Sequence, residues 1–198
     1  MSLGRLDLLL VRHAEPVPVG APGWEERDDD RPLTDAGRQA ADELADELEP
    51  YVITGVYCSP YRRAMETVEP AAERRGLRVI VLEDLRERRL TATLREDWLE
   101  HLNASWADLD YSLDGLESSR DAQLRGTRVL DLLRVRHPDG GRLLLGSHGN
   151  LISLILHALE PAVDADFHLA MPMPAIYHLE HDGHGWRVMG GHGFSPVD

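Results

Sequence analysis

The chain holds one cysteine, Cys58, in 198 residues. A disulfide framework within the chain is excluded, and this thiol usage fits a reducing compartment. Basic residues are also scarce: 21 Lys and Arg stand against 35 Asp and Glu, a formal net charge of −14. That balance argues against nucleic acid as a partner, which needs a basic footprint, and against an anionic membrane surface. It leaves room for a small anionic ligand, because a few arginines build one positive pocket even on an acidic protein. No apolar run approaches the length of a bilayer span. The first apolar stretch, residues 6–11, is short, carries Asp7 and lacks a cationic leader or a small-residue cleavage site. The expectation is a cytoplasmic protein. Internal repeats and low-complexity linkers are missing too. With 42% hydrophobic residues, the chain reads as a single domain over 1–198, with a lid insert at about 90–116.

What is present is an alternation. Residues 6–11 read as a buried strand. Residues 16–32, with several Pro and Gly and the run Asp28-Asp29-Asp30, read as an exposed loop. Thr34 is a good helix cap with Asp35 in the first turn, and Ala41, Leu44, Ala45 and Leu48 recur at helical spacing. Residues 52–57 are a second strand. Ser59-Pro60 opens a helix with Pro at its first position, running to about residue 75. A third strand covers 77–82, and Trp98, Leu102 and Trp106 mark a short helix. A long helix covers 117–136, a fourth strand 143–146, and another helix 148–159. Residues 175–180 and 186–189 form a terminal hairpin. Strands alternating with helices imply a three-layer α/β/α sandwich around a mostly parallel sheet.

In such sheets ligands bind beyond the carboxyl ends of the strands. Arg12 and His13 follow strand one, and Arg62 and Arg63 sit in the turn after strand two. Glu87 follows strand three, among arginines, and His148, Gly149 and Asn150 follow strand four. Arginine forks match phosphate oxygens bidentately. The helix starts at Pro60 and Gly149 would add N–H donors. A neutral imidazole is a competent nucleophile near pH 7. One histidine would attack phosphorus, the other would stabilise the transferring oxygens, and a carboxylic acid would protonate the leaving alkoxide. This chemistry requires no metal and no cofactor. These residues alone do not separate Arg62 from Arg63.

Five stretches, in order, resemble the motifs of the histidine phosphatase superfamily, the phosphoglycerate-mutase-like proteins: LLLVRHAEP (8–16), PLTDAGRQA (32–40), SPYRRAMET (59–67), LRE (85–87) and GSHGNLI (146–152). Ala14 stands where the usual form has Gly, and its small side chain is expected to let a backbone N–H approach phosphate. The resemblance implies that His13 is the nucleophile, passing through a phosphohistidine. It implies that Arg12, Arg63 and His148 bind the phosphoryl group, with Glu87 as proton donor and Asn150 at the phosphate or substrate. His13, Glu87 and His148 are thus the expected catalytic residues, and Arg12, Arg63 and Asn150 the expected phosphate ligands.

Mutases of the family carry a Tyr-Gly pair and a lysine after the acid, and a Trp-Asn after the nucleophile. This chain has none of these and no lysine at all. The expectation is therefore a phosphoric monoester hydrolase acting on a small phosphorylated substrate, with a mutase or a protein phosphohistidine phosphatase as alternatives. A non-enzymatic phosphate sensor on the same fold is a third class. Cysteine phosphatases need Cys followed by five residues and then Arg. From Cys58, Arg63 arrives one residue early, so Cys58 reads as a core residue. His178, His181, His184 and His192 flank a turn, and strand alternation scatters them over both faces.

Overall fold

The computed structural model describes residues 4–22, 28–91 and 96–194. Among these residues six strands form one sheet in the order β3-β2-β4-β1-β5-β6. The strands are β1 (Leu6–Arg12), β2 (Gly55–Cys58), β3 (Val79–Val81), β4 (Gly141–Ser147), β5 (Ala175–His181) and β6 (Trp186–Gly191). The helices are α1 (Asp35–Glu47), α2 (Arg62–Glu73), α3 (Trp98–Ala107), α4 (Ser119–Arg136), α5 (Gly149–Leu159) and α6 (Ala165–Ala170). Strands β3, β2, β4 and β1 run parallel, while β5 and β6 are antiparallel to their neighbours. The expected three-layer, mostly parallel architecture is the observed one.

Strand β1 is apolar almost throughout because it is covered on both faces. Leu6, Leu8 and Leu10 join a core with α4 and α5, while Leu9 and Val11 join the core under α1 and α2. Alternate side chains point to opposite faces, so a continuous leucine run is what a doubly covered strand requires. Each leucine buried this way contributes about 1.5–3 kcal/mol. Cys58 is fully buried in the second core, as expected. Gly126 lets α4 and α5 cross closely, since a Cβ there would lie 2.6 Å from Ile155 Cγ1. No helix among the described residues is long and apolar enough to cross a membrane.

Several expectations need correction. Helix α2 begins at Arg62, not Pro60, because Tyr61 is still extended (ψ 133°). Pro60 and Tyr61 turn the chain after β2 instead of starting the helix. Helix α6, unanticipated, follows an N-cap at Asp164, whose side chain accepts from Phe167 N–H. Of the expected exposed loop 16–32, residues 23–27 lie outside the described residues, and the rest is not simply exposed: Pro16 bridges Leu33, and Arg31 and Pro32 are buried. The Trp98–Trp106 stripe divides. Trp106 packs against the core and the His157 ring, whereas Trp98 is exposed. Part of the expected insert, residues 92–95, lies outside the described residues.

Candidate active site

Strand register builds the site. Arg12 pairs with Ser147 and Cys58 with Gly146, so the next residues, His13, His148 and Ser59, emerge side by side. His13 N–H donates to Ser147 O (3.1 Å) and Ser59 N–H to Gly146 O (2.9 Å), extending the ladder by one step. The His13 and His148 ring centroids are 5.2 Å apart.

The environment of His13 sets its protonation. Its Nδ1 lies 2.7 Å from Ala14 O, an acceptor, so Nδ1 carries the proton. That leaves Nε2 with a free lone pair, which accepts from Arg63 Nε–H at 3.1 Å. Burial, the Arg63 charge and then Arg12 and Arg31 push the imidazole down from 6.5 to about 3. At neutral pH His13 is therefore the free base. His148 is fully buried and shifted the same way, by burial first and Arg63 second. Its Nε2 is 2.7 Å from Ser59 Oγ.

Arg63 is buried, while Arg62 is exposed and places Nε 2.6 Å from Glu66 Oε1. Geometry thus separates the two arginines that spacing alone left equivalent. Arg12 Nη1 donates to Met171 O, and its guanidinium lies on Gly149, where a Cβ would come within 3.0 Å of Nε. Glu87 spans the start of α5. One oxygen accepts from Arg88 and Leu151 N–H (2.9 and 3.1 Å), the other from Asn150 N–H (3.2 Å). These N–H groups are therefore not left open for phosphate, as sequence reasoning had it; they hold the carboxylate. The Glu87 segment is braced by Ser147 Oγ on Leu85 O and by Arg125, which bonds Asp84 O, Arg86 O and Glu117.

Ala14 also departs from expectation. Its N–H donates to Thr67 Oγ1 (3.0 Å), which itself donates to Arg63 O (2.7 Å). The small side chain is explained by its complete burial. The PLTDAG stretch seats the loop after His13. Thr34 N–H donates to Glu15 O, and Gly37 lies so close that a Cβ would be 2.2 Å from Glu15 O. Asn150 is buried, and its Oδ1 has no partner among the described residues. Arg12 Nε and His148 Nδ1 are likewise buried without a partner among the described residues. Three of the six expected residues thus carry buried polar atoms with hydrogen-bonding capacity left over.

Sequence reading missed four residues here. Asp28 contacts Arg63, Arg31 contacts Asp28, Tyr61 lies under the Arg63 guanidinium (4.9 Å), and Ser59 partners His148. Ser59 and Tyr61 lie inside a quoted motif, and that position was the available signal. Asp28 and Arg31 had none beyond being charged.

The family model for the histidine phosphatase superfamily (branch 1) matches residues 8–190. The chain belongs to this superfamily. The expectation of a phosphoric monoester hydrolase stands with that membership. Solved structures of the same fold include mycobacterial glucosyl-3-phosphoglycerate phosphatase (23% identity, 93% of this chain and 97% of that one, TM-score 0.75). A phosphoserine phosphatase mutant from Entamoeba histolytica, bound to phosphoserine, aligns at 19% identity over 95% and 97%, with TM-score 0.75. Phosphoglycerate mutase from Bacillus anthracis aligns at 17% identity over 94% and 92%, with TM-score 0.73. No curated protein matches the chain.

Proposed function

We propose that this histidine phosphatase hydrolyses a small phosphomonoester through a phosphohistidine on His13, without a metal. The observation that carries the reading is the unprotonated Nε2 of His13: Nδ1–H is tied to Ala14 O, and the Nε2 lone pair accepts only from Arg63 Nε–H among the described residues. Nε2 attacks phosphorus as the ester P–O bond breaks, and Glu87 in its acid form gives its proton to the leaving alkoxide. Water then attacks the phosphohistidine, Glu87 takes a proton from that water, and inorganic phosphate leaves with His13 restored.

Negative charge on the transferring group is met by Arg12 and Arg63, as arginine forks do for phosphoryl oxygens. Ser59 Oγ already accepts from Tyr61 N–H. Donating its own proton to His148 Nε2 leaves Nδ1–H as a further donor. Asn150 offers its side-chain amide. Residues of about 90–116 serve as a lid, supported by Arg88, which ties α3 through Ser105 Oγ to the residue beside Glu87. The single buried thiol fits a cytoplasmic setting.

The test is phosphate release from p-nitrophenyl phosphate with a chelator present, followed by acid-labile labelling of His13. We expect turnover in the wild type and loss by at least about 10³-fold in His13→Ala. Retained turnover in that variant sinks the mechanism. Glucosyl-3-phosphoglycerate and phosphoserine, named for two proteins of the same fold, belong in the first substrate panel. Phosphoglycerate interconversion in place of phosphate release would mark a mutase.

A further inference from the structure

Asp28 lies on the cation expected to grip phosphate. Arg63 Nη1 donates to Asp28 O at 2.6 Å, and Nη2 to Asp28 Oδ2 at 3.2 Å. On its other side Asp28 meets Arg31, whose Nε and Nη2 lie 2.8 and 2.7 Å from Oδ1. Arg31 also donates through Nη1 to Val17 O (2.7 Å). Both arginine side chains are nearly inaccessible, at 3% and 9%, whereas the Asp28 side chain is 51% exposed. Two fixed cations therefore share one carboxylate that has solvent beside it.

This arrangement conflicts with an occupied site. A phosphorus attacked by His13 Nε2 has to approach to about 3–3.5 Å. Arg63 Nε–H stands at that distance now. Arg63 has to release the lone pair and turn its N–H groups to the phosphoryl oxygens, yet the end of its fork is held by Asp28. Two anions on one fork repel at such short range. The carboxylate can give way without becoming unpaired, because Arg31 already holds its other oxygen.

Resting on the phosphoryl-site reading above, we propose that Asp28 is the counter-ion that substrate displaces from Arg63, and that Arg31 retains the displaced carboxylate. Asp28 and Arg31 are then positioning residues. They hold Arg63 against the nucleophile in the empty enzyme and release it to the phosphoryl group. The arrangement sets affinity for substrate and for the phosphate product without touching either one.

The experiment measures inorganic phosphate binding by calorimetry and by inhibition of hydrolysis. Asp28→Asn keeps the shape and removes the charge, so phosphate affinity rises about ten-fold, the effect of removing one competing charge at short range. KM falls with it, while kcat changes less. Arg31→Met strands the carboxylate on Arg63 and weakens phosphate binding. In the Asp28→Asn background the same Arg31→Met change has little effect. Asp29→Asn, at an exposed neighbour, leaves affinity unchanged and controls for net charge. Weaker or unchanged phosphate affinity in Asp28→Asn overturns the proposal, as does an equal loss from Arg31→Met in both backgrounds. Asp28→Ser, checked by thermal melting, replaces Asp28→Asn if the latter folds poorly. A wild type that binds phosphate without this response sinks only the Asp28 proposal. A wild type that binds none removes the phosphoryl site and the proposal together.

Discussion

Acid destabilisation tests the protonation state assigned to His13. His13 is held down to about 3 from 6.5, by burial first and by the Arg63 charge second. In the unfolded chain an imidazole titrates near 6.5. Below that value the unfolded chain binds a proton that the folded protein refuses. This contribution to stability is therefore complete above about pH 6.5 and is lost progressively as pH falls toward about 3. The slope is about 1.4 kcal/mol per pH unit per histidine, so His13 alone removes about 2–3 kcal/mol between about pH 6.5 and 4.5. His148 is shifted in the same direction, by burial first, and its contribution has the same sign. The His13 part alone is sizeable against a typical total of about 5–15 kcal/mol. The assay is urea unfolding across that range for wild type, His13→Asn and His148→Asn. Each variant should lose stability less steeply than wild type by about 1.4 kcal/mol per pH unit. Carboxylates titrate in all three proteins and cancel in the comparison. Parallel curves would refute the reasoning: His13 would not be a neutral buried base in the folded protein.

Two further outcomes separate geometry from spacing. Arg63→Gln should lower kcat by about 10²–10³-fold, while Arg62→Gln, whose guanidinium pairs with Glu66 at the surface, stays within about two-fold. Steady-state kinetics on an aryl phosphate decides it, and equal losses would contradict the assignment. Gly149→Ala would bring a Cβ to 3.0 Å from Arg12 Nε and 3.1 Å from Cζ. KM should rise with little change in melting temperature, and an unchanged KM would show that Arg12 does not depend on that close approach.

The fold was legible wherever burial leaves a pattern. Leu8, Leu9 and Leu10 are consecutive because their strand is covered on both faces, and the alternation of such strands with amphipathic helices implied layers, parallel neighbours and a site at the carboxyl edge. Thr34 was legible for a local reason. Its Oγ1 accepts from Gly37 N–H three residues on, an interaction that needs nothing from elsewhere in the chain. Pro60 misled because a favourable first helical position is only a preference, and the turn after β2 extends through Tyr61.

The two histidines were readable for the same reason as the strands: His13 and His148 are one residue past paired strand ends, so register alone brings them together. Their surroundings were not. Asp28 is 35 residues from Arg63 in sequence and belongs to no strand or long helix. An acidic run in a Pro- and Gly-rich stretch reads as a solvated loop, since nothing local distinguishes an aspartate facing water from one facing two buried arginines. That distinction is made by Arg63 and Arg31, cations whose burial demands a counter-charge once the chain is folded. The same demand explains the half-exposed carboxylate. Two buried guanidiniums without an anion would be costly, so Asp28 is held between them although its own side chain stays half in water. The pairing exists only in the folded chain, and a linear reading of spacing and periodicity has no term for it.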